Sequence, residues 1–207
     1  MTATKQKIIQ TATLLYNAHG VASVRLQQIA DSAELSIGNV AYHFKNKDAI
    51  TLAVFHYLSN EAKEILKLFR KTPDLLDFDQ QLKEWFYFQR HYAFYFTDNS
   101  PWPNQELLHP REQSFSRLVF QVQKRFDFHI KRGIVCANSS QPNYQAVAET
   151  IAMIITLWPS YRALQGRSVD NEREYKRDIW NQFVPYFTAR GLTEYNELIQ
   201  PLLAPSE

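Results

Sequence analysis

Between Ser36 and Lys47 the chain reads SIGNVAYHFKNK, a run whose side chains suit non-covalent recognition rather than bond making. The amide of Asn39 can pair twice with an adenine edge, Ile37 or Ala41 can meet a thymine methyl, and Gly38 allows close approach to a groove. Tyr42, His43, Lys45 and Lys47 suit phosphate oxygens. Lys47 also stands near the start of the next helix, where backbone N–H groups favour an anion. Ser36 is placed to cap the segment, and Arg25 adds a cation just upstream.

Such groups are useful only if something holds them outward. On a helical wheel Val40 and Phe44 fall about 40° apart and can anchor the segment, while Gly38, Asn39, Ala41 and Tyr42 point elsewhere. Upstream, Ile8, Ala12, Leu15 and His19 mark a first helix that Gly20 should stop. A second helix is expected from Arg25 to Ala33, with Ser23 as N-cap and Leu26, Ile29, Ala30 and Ala33 inward. After a turn at Glu34 and Leu35, a third runs from Ile37 to Phe44. This is a helix-turn-helix pattern. From the residues alone, the Tyr-His-Phe cluster fits either a contact surface or a packed elbow.

The remainder predicts an all-α protein, because glycines are few and apolar residues recur every three or four positions. Helices are expected from Asn46 to just before Thr72, over 78–97, 112–131, 144–164 and 171–188, with a last short one after Gly191. SPWPNQ at 100–105 should break the chain, and Pro159 should kink the helix that contains it. Eight of the 29 aromatic residues lie between Trp85 and Phe96. Trp85, Phe88, Tyr92, Tyr95 and Phe96 share one face of that helix, and Trp102, Phe115 and Trp158 could complete a wall around an apolar or aromatic ligand. Core packing would explain the same stripe.

Other classes fit poorly. No apolar run approaches the roughly 18 residues that span a bilayer, and the first 20 residues lack a secretory signal, so a cytoplasmic protein is expected. The single cysteine, Cys136, offers no internal disulfide, and the five glycines form no phosphate-cradling loop. The six histidines form no closely spaced ligand set, so no catalytic residue, metal or cofactor is assigned. Residues 1–50 hold five basic and three acidic side chains, while the other 18 basic and 18 acidic groups cancel. Attraction to a polyanion therefore resides in the first fifty residues.

VRLQQIADSAELSIGNVAYHFKNKDAI resembles the N-terminal domain of TetR-type bacterial transcriptional regulators. Ile29-Ala30, Ala33, Leu35-Ser36, Gly38-Asn39-Val40, His43-Phe44 and Lys47 occupy positions of that family's pattern. The family's turn glycine is Glu34 here, its usual threonine is Arg25, and the first tyrosine of a Leu-Tyr-Tyr triplet is Ala41. The resemblance implies a DNA-binding domain over 1–46, joined to a helical ligand-binding and dimerisation domain over 47–207. It implies a repressor that binds a palindromic double-stranded operator as a homodimer and responds to a small effector. Residues 144–188 would form the seam, with Val147, Ile151, Ile154, Ile155 and Trp158 facing Ile179, Trp180, Phe183 and Phe187. A helical adaptor that no longer binds DNA is the alternative.

Overall fold

The computed structural model describes residues 2–67, 73–97, 108–137 and 143–204, with backbone only at 67 and 108–111. Among them every regular element is helical, apart from one antiparallel bridge between Val135 and Phe187.

Helix α1 (Ala3–His19) begins where the Lys5 N–H donates to Thr2 Oγ1, and ends at Gly20, whose φ of 75° favours glycine. Ile8 and Ala12 are buried as expected, but the inner stripe continues through Tyr16, leaving Leu15 half-buried and His19 exposed. The reason is a long-range partner: Tyr16 Oη lies 2.8 Å from Thr51 Oγ1. Helix α2 (Leu26–Ser32) starts at Arg25 rather than at a Ser23 cap, because Gln28 Oε1 accepts the Arg25 N–H at 2.7 Å. Helix α3 (Ile37–His43) packs on α2, and α4 (Lys47–Lys67) starts where the Ala49 N–H donates to Asn46 Oδ1. Ile50, Val54, Leu58 and Ala62 carry α4 into the core.

The single helix expected over 78–97 is two: α5 (Leu75–His91), capped by Asp74, and α6 (Ala93–Thr97). The break at Tyr92 is bridged from α1. Asn17 Nδ2 donates to the His91 carbonyl at 2.9 Å, and the Phe94 N–H donates to Asn17 Oδ1 at 3.0 Å. One distant amide thus satisfies a donor and an acceptor that an interrupted helix leaves open.

Helices α7 (Leu108–Lys131) and α8 (Tyr144–Leu164) pack against each other, and α8 runs through Pro159. Proline has no N–H for the Ile155 carbonyl, which instead accepts Gln89 Nε2 at 2.7 Å and Tyr175 Oη at 3.4 Å. Helix α9 (Glu172–Phe183) stops short of the expected residue 188, because Pro185 lies in the 3-10 turn Val184–Tyr186 that follows it. Helices α10 (Ala189–Leu198) and α11 (Gln200–Leu203) close the chain. Gly191 lies inside α10 rather than ahead of it, because Thr188 Oγ1 caps the helix by accepting the Gly191 N–H at 3.1 Å; a Cβ at Gly191 would sit 2.1 Å from the Ile134 carbonyl oxygen.

Two buried ion pairs join these helices. Arg125 Nη1 donates to Asp77 Oδ2 at 2.8 Å, and Lys176 Nζ to Asp79 Oδ2 at 2.7 Å. The side chains expected to form an intermolecular seam are used within one chain. Ile151, Ile155, Trp158, Ile179, Trp180, Phe183 and Phe187 are buried core, and Val147 and Ile154 are half-buried against it. The apolar face that α8 leaves uncovered is Met153, Leu157, Tyr161 and Leu164, the last 84% exposed.

Candidate nucleic-acid interface and ligand cavity

Helix α3 has seven residues, and Ser36 caps it by accepting the Asn39 N–H at 3.1 Å. Val40 and Phe44 are buried as the wheel requires. Ile37, Gly38, Asn39, Ala41 and Tyr42 are exposed; Tyr42 is 85% exposed and Ile37 46%. Water-facing apolar side chains of this size on so short a helix leave it suited to another molecule's surface. A Cβ at Gly38 would meet nothing nearer than Ser36 Oγ at 4.0 Å, so internal packing does not demand a glycine there.

The turn before α3 closes with the Leu35 N–H on the Ala30 carbonyl at 2.9 Å and the Glu34 N–H on the Asp31 carbonyl at 3.0 Å. That pattern needs a left-handed residue, and Glu34 supplies it with a φ of 55°. Its carboxylate lies 3.4 Å from Lys7 Nζ at the surface.

The cations around α3 divide into two kinds. Arg25 and Lys45 are exposed, and His43, half-buried, meets Tyr42 edge-on at 5.0 Å. Lys47 instead donates to the Val21 carbonyl at 2.6 Å and the Ala22 carbonyl at 3.3 Å. With two of its ammonium donors committed to the loop between α1 and α2, Lys47 is not the open phosphate ligand that its place in the sequence suggests. Sequence reasoning overlooked Lys5, whose ammonium sits 5.7 Å from the centre of the Phe44 ring. Only the packing of α1 beside the end of α3 reveals it.

Behind this unit lies a cavity of about 480 Å³. Leu58, Ser59 and Ala62 of α4, Trp85 and Phe88 of α5, and Tyr95 and Phe96 of α6 form much of its wall, with Glu112, Ser114 and Phe115 of α7 and Thr156 and Leu157 of α8. Trp85, Phe88 and Phe115 are therefore where the sequence placed them. Tyr92 is not a wall residue: it is buried, with its hydroxyl on Glu61 Oε2 at 2.8 Å. Burial first, and then Glu61, push this phenol well above its usual pKa. Trp158 faces α9 instead, donating to Asp178 Oδ2 at 2.9 Å and packing on Tyr175. Trp102 lies outside the described residues. The wall residues on α4 and α8 carry no mark of their own in the sequence, because they become neighbours only through packing.

Helix α6 belongs to both regions. Tyr95 and Phe96 line the cavity, while Phe94 meets Tyr16 of α1 at 5.5 Å and Phe55 of α4 at 5.9 Å. Among the described residues, no group of three His, Cys, Asp or Glu could hold a metal ion, and no helix is long and apolar enough to cross a membrane.

Residues 8–54 match the model for bacterial regulatory proteins of the tetR family, and residues 58–195 match TetR, described as bacterial transcriptional repressor. A probable HTH-type transcriptional regulator of Bacillus subtilis, YttP, is 35% identical over 48 residues, 23% of this chain and 23% of that protein. A probable acrEF/envCD operon repressor of Escherichia coli is 41% identical over 44 residues, 21% of this chain and 20% of the repressor. The chain thus matches less than a quarter of either relative's length. Among solved structures, a TetR-family transcriptional regulator from Marinobacter aquaeolei superposes with a TM-score of 0.76 at 23% identity, covering 98% of each chain. SmeT in complex with triclosan gives a TM-score of 0.65 at 16% identity, over 91% of this chain and 93% of that one. These superpositions agree with the helix order above, and the second family match alone spans well over half of the sequence. The chain belongs to the TetR family of bacterial regulatory proteins.

Proposed function

We propose that the protein is a transcriptional repressor that binds a palindromic DNA operator as a homodimer and releases it when a small apolar or aromatic compound fills the cavity behind α3. The observation that carries this reading is the outward display of α3: Ile37, Asn39 and Tyr42 face solvent while the buried Val40 and Phe44 anchor the helix. In this reading Ile37, Gly38, Asn39 and Ala41 meet base edges in the major groove. Arg25, Ser36, Tyr42, His43, Lys45 and Lys5 hold phosphates, and Lys47 shapes the loop beside them and has one donor left for a phosphate. The DNA-binding unit ends near residue 46, and 47–207 serve ligand binding and dimerisation. Such a regulator works in the cytoplasm, where its DNA is.

A dimer places two recognition helices roughly 34–36 Å apart, one turn of DNA. The seam on this reading lies within 144–188, through the uncovered α8 stripe Met153, Leu157, Tyr161 and Leu164. Release follows from α6, which lines the cavity with Tyr95 and Phe96 and is tied to α1 through Asn17 and Tyr16. A ligand that prefers a shifted α6 draws α1, and the unit that carries α3, with it. Its leverage equals its difference in affinity between the two states. The relative named as an operon repressor and the triclosan-bound SmeT support the two halves of this reading.

The test is binding to the DNA upstream of the protein's own gene at two salt concentrations. Tight binding that outlasts competitor DNA and weakens steeply with salt is the expected result. Salt-insensitive or absent binding to any DNA would overturn the reading in favour of a helical adaptor.

A further inference from the structure

Residues 75–97 contain neither glycine nor proline, and their spacing favours one helix, yet the helix is interrupted at Tyr92. Sharp interruptions arise at proline, at glycine or serine, at a bulge, or where a side chain enters the backbone ladder. Here the entering side chain is Asn17 of α1. In an unbroken helix the His91 carbonyl would accept the Tyr95 N–H, and the Arg90 carbonyl the Phe94 N–H. Asn17 stands in for both partners: its Nδ2 donates to the His91 carbonyl and its Oδ1 accepts the Phe94 N–H, while the Tyr95 N–H turns back to the Tyr92 carbonyl at 2.9 Å. Tyr92 is left outside helical geometry, with φ −115° and ψ 45°.

The exchange is nearly even in hydrogen bonds. A straight helix would pair the His91 carbonyl and the Phe94 N–H within its own ladder, and Asn17, which is exposed, would turn its amide to water. Packing therefore decides between the forms. The broken form seats Phe94 on Tyr16 and Phe55, and in it Ser160 Oγ donates to the Phe96 carbonyl. The same break sets the direction of Tyr95 and Phe96, which line the cavity. A compound in that cavity lies against the two side chains that the break positions, so its contacts weigh directly on the balance.

We propose that residues 75–97 are a two-state hinge. In the broken form Asn17 clamps the interruption and ties α6 to the DNA-binding unit; in the straight form α5 and α6 run as one helix and α1 is let go. Asn17 is the residue that positions the broken form. Its part in releasing DNA rests on the repressor reading above.

The test is the Cα resonance of Tyr92 in full-length protein isotope-labelled at tyrosine, assigned by its loss in Tyr92→Phe. In the wild type it should lie off the helical range. Asn17→Ala removes both bonds and should shift the balance toward the straight form by about tenfold or more, the worth of two neutral hydrogen bonds, moving the resonance toward the helical range. Ala93→Pro forbids the straight form, because proline has no N–H for the Gln89 carbonyl, and proline suits the first position of α6. The double variant should therefore return the resonance to its wild-type place. Binding to the DNA upstream of the protein's own gene should follow the same order, about tenfold weaker in Asn17→Ala and within about twofold of wild type in the double variant. A side chain that only stabilises the fold would not be replaced by a helix breaker. If Asn17→Ala does not fold, relaxation dispersion at Tyr92 in the wild type should show microsecond-to-millisecond exchange that Ala93→Pro abolishes. An unmoved resonance in Asn17→Ala, a shift that Ala93→Pro does not reverse or, in the second case, a flat dispersion profile overturns the hinge. A resonance that behaves as expected while DNA affinity does not follow it overturns the hinge's part in release. Failure of the wild type to bind any DNA overturns the repressor reading, and the Tyr92 resonance still decides the hinge.

Discussion

Tyr42 and Trp85 each stand on a helix among other aromatic side chains, yet Tyr42 is 85% exposed and Trp85 5%. The difference lies in what surrounds each helix. Helix α3 packs chiefly on α2 and is anchored by Val40 and Phe44, so most of its circumference stays open. Helix α5 is enclosed by α4, α6, α8, α9 and α10, and its aromatics become core or cavity wall. Aromatic residues on a short, thinly anchored helix therefore stay at the surface, where the proposed function uses them. The same residues on an enclosed helix say little until the packing shows which of them border empty space.

The largest effect is expected where a buried anchor of α3 is removed. Phe44→Ala should cost about 3–5 kcal/mol and lower the melting temperature, because a buried ring is lost from a small core. Tyr42→Ala should change stability by less than about 0.5 kcal/mol while weakening operator binding. Equal destabilisation by the two would erase the distinction between anchor and display on α3.

Acid probes the enclosed side. Burial first, and then Arg132 and Arg125, hold the His129 imidazole down to about 4 from an ordinary value of 6.5. The folded chain keeps it neutral while the unfolded chain takes a proton near pH 6.5, so its stability is full above that pH and falls until about pH 4. The loss amounts to about 3 kcal/mol in all. Denaturant titrations at pH 7 and pH 4 should show this drop, and His129→Leu should show a smaller one.

The two lysines beside α3 sharpen the display side. Lys47→Ala removes two charged hydrogen bonds to the loop before α2 and should lower stability by about 1.5 kcal/mol. Lys45→Ala should leave melting unchanged and reduce the slope of log affinity against log salt by about one per half-site. An undiminished slope for Lys45→Ala would remove it from the phosphate contacts. The smallest effect is expected at the turn: Glu34→Gly should raise stability by about 0.5–1 kcal/mol, as relief of the left-handed strain outweighs the added freedom of the unfolded chain. A melting point that falls instead would mean that Glu34 is unstrained there.

Much of the N-terminal unit was legible because its bonds are local. The Ser36 cap reaches three residues, the turn at Glu34 closes within five, and Val40 and Phe44 lie one helical turn apart. The resemblance to TetR-type regulators adds the meaning of that geometry, and the family matches over 8–54 and 58–195 uphold it. In the C-terminal region Trp85, Phe88 and Phe115 were legible as wall residues, whereas Tyr92 and Trp158 share their chemistry and went to Glu61 and Asp178 instead. Hydrophobic spacing gives the inward face of a helix but not which inward residue borders a void.

By itself the sequence determined an all-helical chain, the position of the helix-turn-helix and the outward residues of α3, since each follows from contacts made within a few turns of one another. Tertiary structure alone decided the rest. The break at Tyr92 depends on Asn17, whose two bonds there span 74 and 77 residues. Passage of α8 through Pro159 depends on Gln89, 66 residues away, and the task of Lys47 depends on a loop 25 and 26 residues earlier. A polar group takes the partner that folding brings within about 3 Å, and the order of residues along the chain does not disclose which one that is.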